Sequence, residues 1–257
     1  MQIDLNCDMG ESFGPYTLGL DEQVMPLITS ANVACGFHAG DPQVLRRTLA
    51  LAARYGVGVG AHVSFPDLAG FGRRELQVAP QELENDVLYQ IGAISAFCRV
   101  AGVPLRHVKP HGALYNMAQR DEATAGAIAR AVAAYDPGLL LFVQAGSVMA
   151  RVAGEVGLPV AAEVFADRAY TPDGALASRK LPGSVIHDPD AVAERALRMV
   201  TEGRIIAIDG TEIAVAAETI CVHGDTPGAV LLIQRIRERL AQAGVAVRPP
   251  LTAGAGI

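Results

Sequence analysis

Tryptophan is absent from these 257 residues, and lysine and arginine together number only 21, with lysine confined to Lys109 and Lys180. A chain that neutralises phosphate backbones or anionic lipid carries surplus basic charge. Here 27 acidic residues leave a net charge of −6, which disfavours nucleic acid and membrane surfaces as partners. Cys7, Cys35, Cys98 and Cys221 include no C-x-x-C pair, so neither a zinc knuckle nor a small disulfide framework is indicated, and reduced thiols in a cytosol fit this usage. No apolar run is long enough to span a bilayer. Met1-Gln2-Ile3-Asp4 enters a charged strand without the basic start and apolar stretch of a signal peptide, so a cytoplasmic protein is expected. Neither a G-x-S-x-G elbow nor a Walker phosphate loop is present, which disfavours a serine hydrolase and a self-sufficient P-loop ATPase. No repeat, low-complexity tract or linker divides the chain, so residues 1–257 read as one domain.

What is present is a globular composition, 51% hydrophobic and 19% charged, with strong punctuation. Apolar runs that read as strands recur near Gln2 to Cys7, Ser30 to Ala34, Gly56 to Ala61, Arg106 to Val108, Leu139 to Val143, Pro159 to Val164 and Thr219 to Val222. Helical patterns cover Pro42 to Tyr55, Pro80 to Ala101, Glu122 to Ala134, Ser147 to Val156, Pro189 to Glu202 and Pro227 to Ala243. Asp41-Pro42, Asp188-Pro189 and Thr226-Pro227 have the form of an N-cap followed by a first-turn proline. Gly56, Gly102, Gly157, Gly203 and Gly244 have the form of C-terminal stops. Strand–helix–strand order repeated through the chain predicts an α/β fold of parallel strands with right-handed crossovers, closed into a barrel in preference to an open sheet. Two apolar runs around Asp209-Gly210 predict a β-hairpin excursion near residues 204–217, and the tail after Val247 is expected to be loose.

Polar residues gather where the apolar runs end, which is the placement of an enzyme site at one rim of an α/β fold. In the first run Asp4, Asn6 and Asp8 alternate with Ile3, Leu5 and Cys7 and so share one face, followed by a Gly-rich loop that carries Glu11. His38 sits between Gly36 and Gly40. Asp41 is expected to cap the helix at Pro42 before anything else. In Gly56-Val57-Gly58-Val59-Gly60-Ala61-His62, period two puts glycines on the side of His62 and clears space there for a ligand or for barrel side chains; as a dinucleotide signal the string is weak. The loop from Ser64 to Arg74, with Arg73 and Arg74, reads equally as an anion-binding lid or a solvated basic turn. His107, Lys109 and His111 alternate at a strand end, and Glu163 and Asp167 lie four apart with Arg168 placed to neutralise one of them. His223 and Asp225 close the last barrel strand, Asp225 with a second reading as the cap at Pro227. No H-x-x-x-H or other tight spacing is present, so no metal ligand is assigned, although ligands from separate strands stay open.

The blocks Asp4-Leu5-Asn6-Cys7-Asp8-Met9-Gly10-Glu11-Ser12-Phe13-Gly14, Ala31 to Asp41, Gly60 to Arg74, Val108 to Asn116, Glu163 to Tyr170 and Cys221 to Asp225 resemble, in order and over almost the whole chain, the LamB/YcsF family. The resemblance implies a seven-stranded β/α barrel similar to carbohydrate deacetylases. It also implies ATP-dependent opening of 5-oxo-L-proline to L-glutamate, carried out with the B and C subunits of a multi-subunit 5-oxoprolinase, with ATP as cosubstrate. On that reading the catalytic set is Asp8, His38, His62, Lys109 and Glu163. Asp8 or Glu163 handles water, His38 and His62 shuttle protons, and Lys109 with Arg73 or Arg168 holds phosphate or carboxylate charge. Asn6, Glu11, Arg73, His111, Asp167, Arg168 and His223 are the substrate-binding candidates. Two other classes stay open: a metal-dependent amide or sugar deacetylase built on Asp8 with His38, His62 or His223, and a non-catalytic subunit that presents the lactam to an enzyme elsewhere.

Overall fold

The alternation in the first strand dictates its place. Ile3, Leu5, Cys7 and Met9 are buried toward the helices, while Asp4, Asn6 and Asp8 turn to the opposite face, where only polar partners on neighbouring strands make burial tolerable. The computed structural model describes residues 1–224 and 228–250. In chain order the elements are β1 (Gln2–Met9), α1 (Asp21–Val24), β2 (Ser30–Ala34), α2 (Pro42–Tyr55), β3 (Gly58–Val63), α3 (Pro80–Ala101), β4 (Leu105–Pro110), α4 (Gly112–Ala118), α5 (Glu122–Tyr135), β5 (Leu140–Gln144), α6 (Val148–Glu155), β6 (Val160–Phe165), α7 (Pro189–Thr201), β7 (Arg204–Ile206), β8 (Glu212–Ala214), β9 (Thr219–Val222), α8 (Ala229–Gln242) and β10 (Ala246–Val247).

Strands β1 to β6 pair in sequence order, β9 follows β6, and β9 returns to β1 through Asp4 opposite Thr219, so seven parallel strands form a closed barrel. Closure removes the exposed edges that an open sheet would leave. The expected barrel is therefore the observed one. β10 adds a short parallel strand to the start of β1, with Gln2 opposite Ala246, and β7 and β8 form the expected antiparallel hairpin outside the barrel. Among the described residues no helix is long and apolar enough to cross a membrane.

Local signals explain the helix ends. Asp41 accepts hydrogen bonds from the Gln43 and Val44 amides at 2.7 and 3.0 Å, a cap of about 1 kcal/mol, and Gly56 ends α2 at φ 67°, a left-handed conformation that disfavours side chains. Asp188 caps α7 through the Ala191 amide at 2.8 Å. The Thr226-Pro227 cap and Asp225 lie outside the described residues, as do residues 251–257 of the tail. Two strands run further than their apolar runs suggested. β3 reaches Val63 and β4 reaches Pro110, because Val63 pairs with Pro110 and accepts the His111 amide at 2.7 Å. His62 and Lys109 thus lie within barrel strands rather than beyond them. α4 was not evident from periodicity; it opens directly after His111 and buries Leu114, Tyr115 and Ala118.

Candidate active site

Lys109 is the centre of charge inside the barrel. Its Nζ donates to Asp8 Oδ1 at 3.1 Å, Glu163 Oε1 at 2.9 Å and Asn6 Oδ1 at 3.2 Å, and lies 3.0 Å from Cys221 Sγ. Burial alone pulls a lysine toward neutrality, but Asp8, Cys221 and Glu163 outweigh it and hold the Lys109 pKa well above its ordinary value. Burial likewise opposes ionisation of Asp8. The His62 and Lys109 charges and the His62 hydrogen bond prevail, keeping its carboxyl well below the usual carboxylate range. Asn6 locks the arrangement, donating to Glu163 Oε1 at 3.0 Å and Thr219 Oγ1 at 2.7 Å, while Asn32 donates to Asn6 Oδ1 at 2.7 Å and Asp8 Oδ1 at 2.9 Å. The buried Tyr115 hydroxyl faces Glu163; burial and that carboxylate raise its pKa well above the tyrosine norm.

Against Asp8 lies a group of histidines. His62 Nε2 is 3.2 Å from Asp8 Oδ2 and 3.1 Å from His111 Nδ1, and its Nδ1 donates to the Lys109 carbonyl at 2.9 Å. His111 donates from Nε2 to the Phe71 carbonyl at 2.9 Å and stacks on His38, their centroids 3.9 Å apart. His38 Nε2 is 3.3 Å from Glu11 Oε1. Burial, with the neighbouring imidazoles, pushes His38 well below the usual histidine value and His111 down to about 3, so both are neutral at pH 7. The loop from Ser64 to Arg74 covers this group. Phe71, held at φ 55°, meets His38 and His111 edge-on, and Arg73 lies 4.9 Å over the Phe71 ring. Arg74 is paired with Asp67 and braces the loop.

A third group lies beside Cys221. His223 Nδ1 is 2.7 Å from Asp167 Oδ2, and its Nε2 is 3.2 Å from Arg179 Nη2. His223, not Arg168, is thus the hydrogen-bond partner of Asp167. Arg168 directs its guanidinium to the Ala177 and Ser184 carbonyls and organises the loop after β6. The fold brings Asn6, Asp8, Lys109 and Glu163 into one cluster, joins it through Asp8 to His62, His111, His38 and Glu11, and sets Asp167 and His223 at its flank. Asn32 and Tyr115 were missed. Asn32 was legible, since Ser30 and Asn32 alternate with Ala31 and Val33 as Asp4, Asn6 and Asp8 do in β1. For Tyr115 the sequence carried no signal, because its direction depends on α4.

An ionised carboxylate whose side chain is 15% exposed, backed by a buried cation and in contact with an imidazole, can hold or activate water and relay a proton. Such a site suits hydrolysis at a carbonyl carbon. The relatives agree in kind. The chain is 60% identical to the 5-oxoprolinase A subunit of Syntrophobacter fumaroxidans, over 96% of this chain and 98% of that one. It is 57% identical to the same-named subunit of Symbiobacterium thermophilum, over 97% and 95%. The crystal structure of a lactam utilization protein from Thermus thermophilus superposes with a TM-score of 0.93 at 54% identity, covering 96% of this chain and 99% of that one. Residues 3–254 match the LamB/YcsF family throughout, and the chain is a member of it.

Proposed function

We propose that this chain is the A subunit of a cytoplasmic, multi-subunit 5-oxoprolinase that opens 5-oxo-L-proline to L-glutamate with hydrolysis of ATP, working with B and C subunits. The observation that carries the reading is the joining of Lys109, Asp8, Glu163 and His62 in one buried network, in a chain this similar over its full length to subunits named for that reaction. A five-membered lactam is a stable amide. Phosphorylation of its oxygen by ATP makes the ring carbon electrophilic. Water then adds to that carbon, the ring C–N bond breaks, the nitrogen takes a proton, and glutamate, ADP and phosphate result once the phosphoryl group is released to a second water. Asp8 accepts the proton of the attacking water and passes it toward the leaving nitrogen, with His62 beside it orienting the carboxylate. Lys109, held by Asp8 and Glu163, orients those two carboxylates rather than gripping phosphate itself. On this reading Arg73, on the loop over the histidines, meets a carboxylate or phosphate of the substrate.

The sequence carries no Walker phosphate loop, which favours activation of the lactam in concert with the partner subunits. The test is glutamate release from 5-oxoproline and ATP by the chain alone, by the B and C subunits alone, and by the mixture. Product only in the mixture supports a shared mechanism. Undiminished product from B and C without this chain refutes it, and so does full activity of a mixture carrying the chain with both Asp8→Asn and Lys109→Met.

A further inference from the structure

His62 and His111 face each other in a way that neutral imidazoles disfavour. A carbonyl oxygen only accepts, so the Lys109 carbonyl fixes the proton of His62 on Nδ1 and the Phe71 carbonyl fixes that of His111 on Nε2. Unless His62 carries a second proton on Nε2, which also faces Asp8 Oδ2 at 3.2 Å, the two remaining nitrogens, His62 Nε2 and His111 Nδ1, point lone pairs at each other across 3.1 Å. Only a cation between or beside them, a proton or a metal ion, turns that contact into an attraction. Two more donors converge on the same point. His38 Nε2 lies 3.3 Å and His111 Nδ1 3.7 Å from Glu11 Oε1, and one donor atom from each of Glu11, His38, His62 and His111 lies within 4.8 Å of all the others.

We infer that Glu11, His38, His62 and His111 form a binding site for one divalent transition-metal ion of the zinc class. Zinc–nitrogen bonds of about 2.0–2.1 Å set the edge of a ligand tetrahedron at about 3.3 Å, and the contacts of 3.1, 3.3 and 3.7 Å bracket that edge. Three imidazoles and one carboxylate are the donor set zinc prefers over magnesium or calcium. The outer contacts have the form metal sites use: two of the three rings donate their far N–H to a backbone carbonyl, which fixes the tautomer that leaves the near nitrogen free to ligate. No hydrogen-bond partner is present at the buried Nδ1 of His38 among the described residues, so no hydrogen bond there sets the tautomer against presenting Nε2. Charge also permits a dication, with Asp8 3.2 Å from His62 adding a second carboxylate beside Glu11, against Lys109, already paired with Asp8 and Glu163, and Arg73. The four ligands come from the loop after β1, the loop after β2, strand β3 and the residue after β4, which is why no close-spaced motif announces the site.

The inference reaches beyond the proposed reaction and is tested without it, on the isolated full chain. Metal-stripped protein is titrated with Zn²⁺ by calorimetry, and with Co²⁺ followed by its visible absorption. The expected result is one ion per chain with the spectrum of a tetrahedral N/O site. His62→Ala and His111→Ala are each expected to weaken binding by at least the 10–100-fold that loss of an outer-shell partner typically costs. His187→Ala, at an exposed histidine away from the cluster, should leave binding unchanged. Circular dichroism of each variant confirms that the fold persists. Absence of saturable binding by the wild-type chain overturns the inference, as does binding that survives in both cluster variants while they remain folded. A ¹⁵N NMR spectrum showing one proton shared between His62 and His111 in a chain that takes up no Zn²⁺ overturns it equally.

Discussion

Two carboxylates on the same face of β1, Asp4 and Asp8, have been given opposite electrostatic surroundings. Asp4, at the end of the barrel where β1 begins, receives three hydroxyls, from Thr29 at 2.6 Å, Ser30 at 2.8 Å and Thr219 at 2.5 Å, and among the described residues no counter-ion. Burial raises its pKa to about 6 in spite of those donors. Asp8, four residues on, meets an ammonium and an imidazole and is held ionised. Position along the strand thus separates a carboxyl that closes the barrel floor from one equipped for chemistry at its mouth. Hydroxyls satisfy hydrogen-bond geometry at modest cost, whereas a permanent charge in the lumen requires an equally buried partner, which is why Lys109 stands among Asp8, Glu163 and Asn6.

The sharpest way to break that contrast is Lys109→Met. It leaves two buried carboxylates without their cation, and removing one partner of a buried pair costs about 3–5 kcal/mol. Urea unfolding of this variant is expected to show a loss of that size together with loss of glutamate release in the reconstituted mixture; wild-type stability would mean that the lumen is far more hydrated than the packing implies. Asp8→Asn separates chemistry from stability, because Lys109 keeps Glu163. The expected result is a native circular dichroism spectrum with turnover reduced by roughly 10²–10⁴-fold, the usual contribution of one acid–base group.

At the floor, the sign of the pH dependence reverses. A carboxyl raised in the folded state binds its proton more tightly there than in the unfolded chain, so its contribution to stability is complete below pH 3.8 and is lost as pH rises to about 6. The shift corresponds to roughly 3 kcal/mol. Subtracting the urea-unfolding profile of Asp4→Asn from that of the wild type should reveal a fall of this order across that window and a plateau above it. A flat difference would mean that the hydroxyls fully compensate the buried charge.

These contrasts also mark how far the sequence could be read. The ends of α2 and α3 were legible because Asp41-Pro42, Gly56, Pro80 and Gly102 act on their own neighbours. The polar face of β1 was legible from period two alone. What met what across the barrel was not. Lys109 on β4 reaches Glu163 on β6 only because β5 lies between them and the ring closes, a fact of strand order rather than of spacing. The pairing of Asp167 with His223 in place of Arg168, and the use of Arg74 as a brace on Asp67, depend on loop conformations with no local signature. The glycines before His62 were the intermediate case: their side of the strand signalled a close approach, while the group that approaches came from another strand.

That group is His107, and the gentlest test of the lumen acts on it. Gly60 lies opposite His107 on the neighbouring strand, and a Cβ there would fall inside contact distance of the imidazole, with Nε2 nearest. The ring has little room to yield, since it stacks on Phe142 at 4.1 Å and its Nε2 is 2.8 Å from Asn32 Oδ1, the residue that orients Asn6 and Asp8. Burial, followed by the Lys109 and His62 charges, brings the His107 pKa down to about 3, so it serves as a neutral ring that donates to Asn32. Gly60→Ala is therefore expected to destabilise the chain by about 1–3 kcal/mol, as overpacking does, and to lower turnover through displacement of Asn32 while Asp8 and Lys109 remain present. A second substitution, His107→Ala, in the same background opens the space again. If it restores stability toward that of His107→Ala alone, the cost lay in the clash; if the two losses simply add, Gly60 is required for the backbone of β3 and not for the ring beside it.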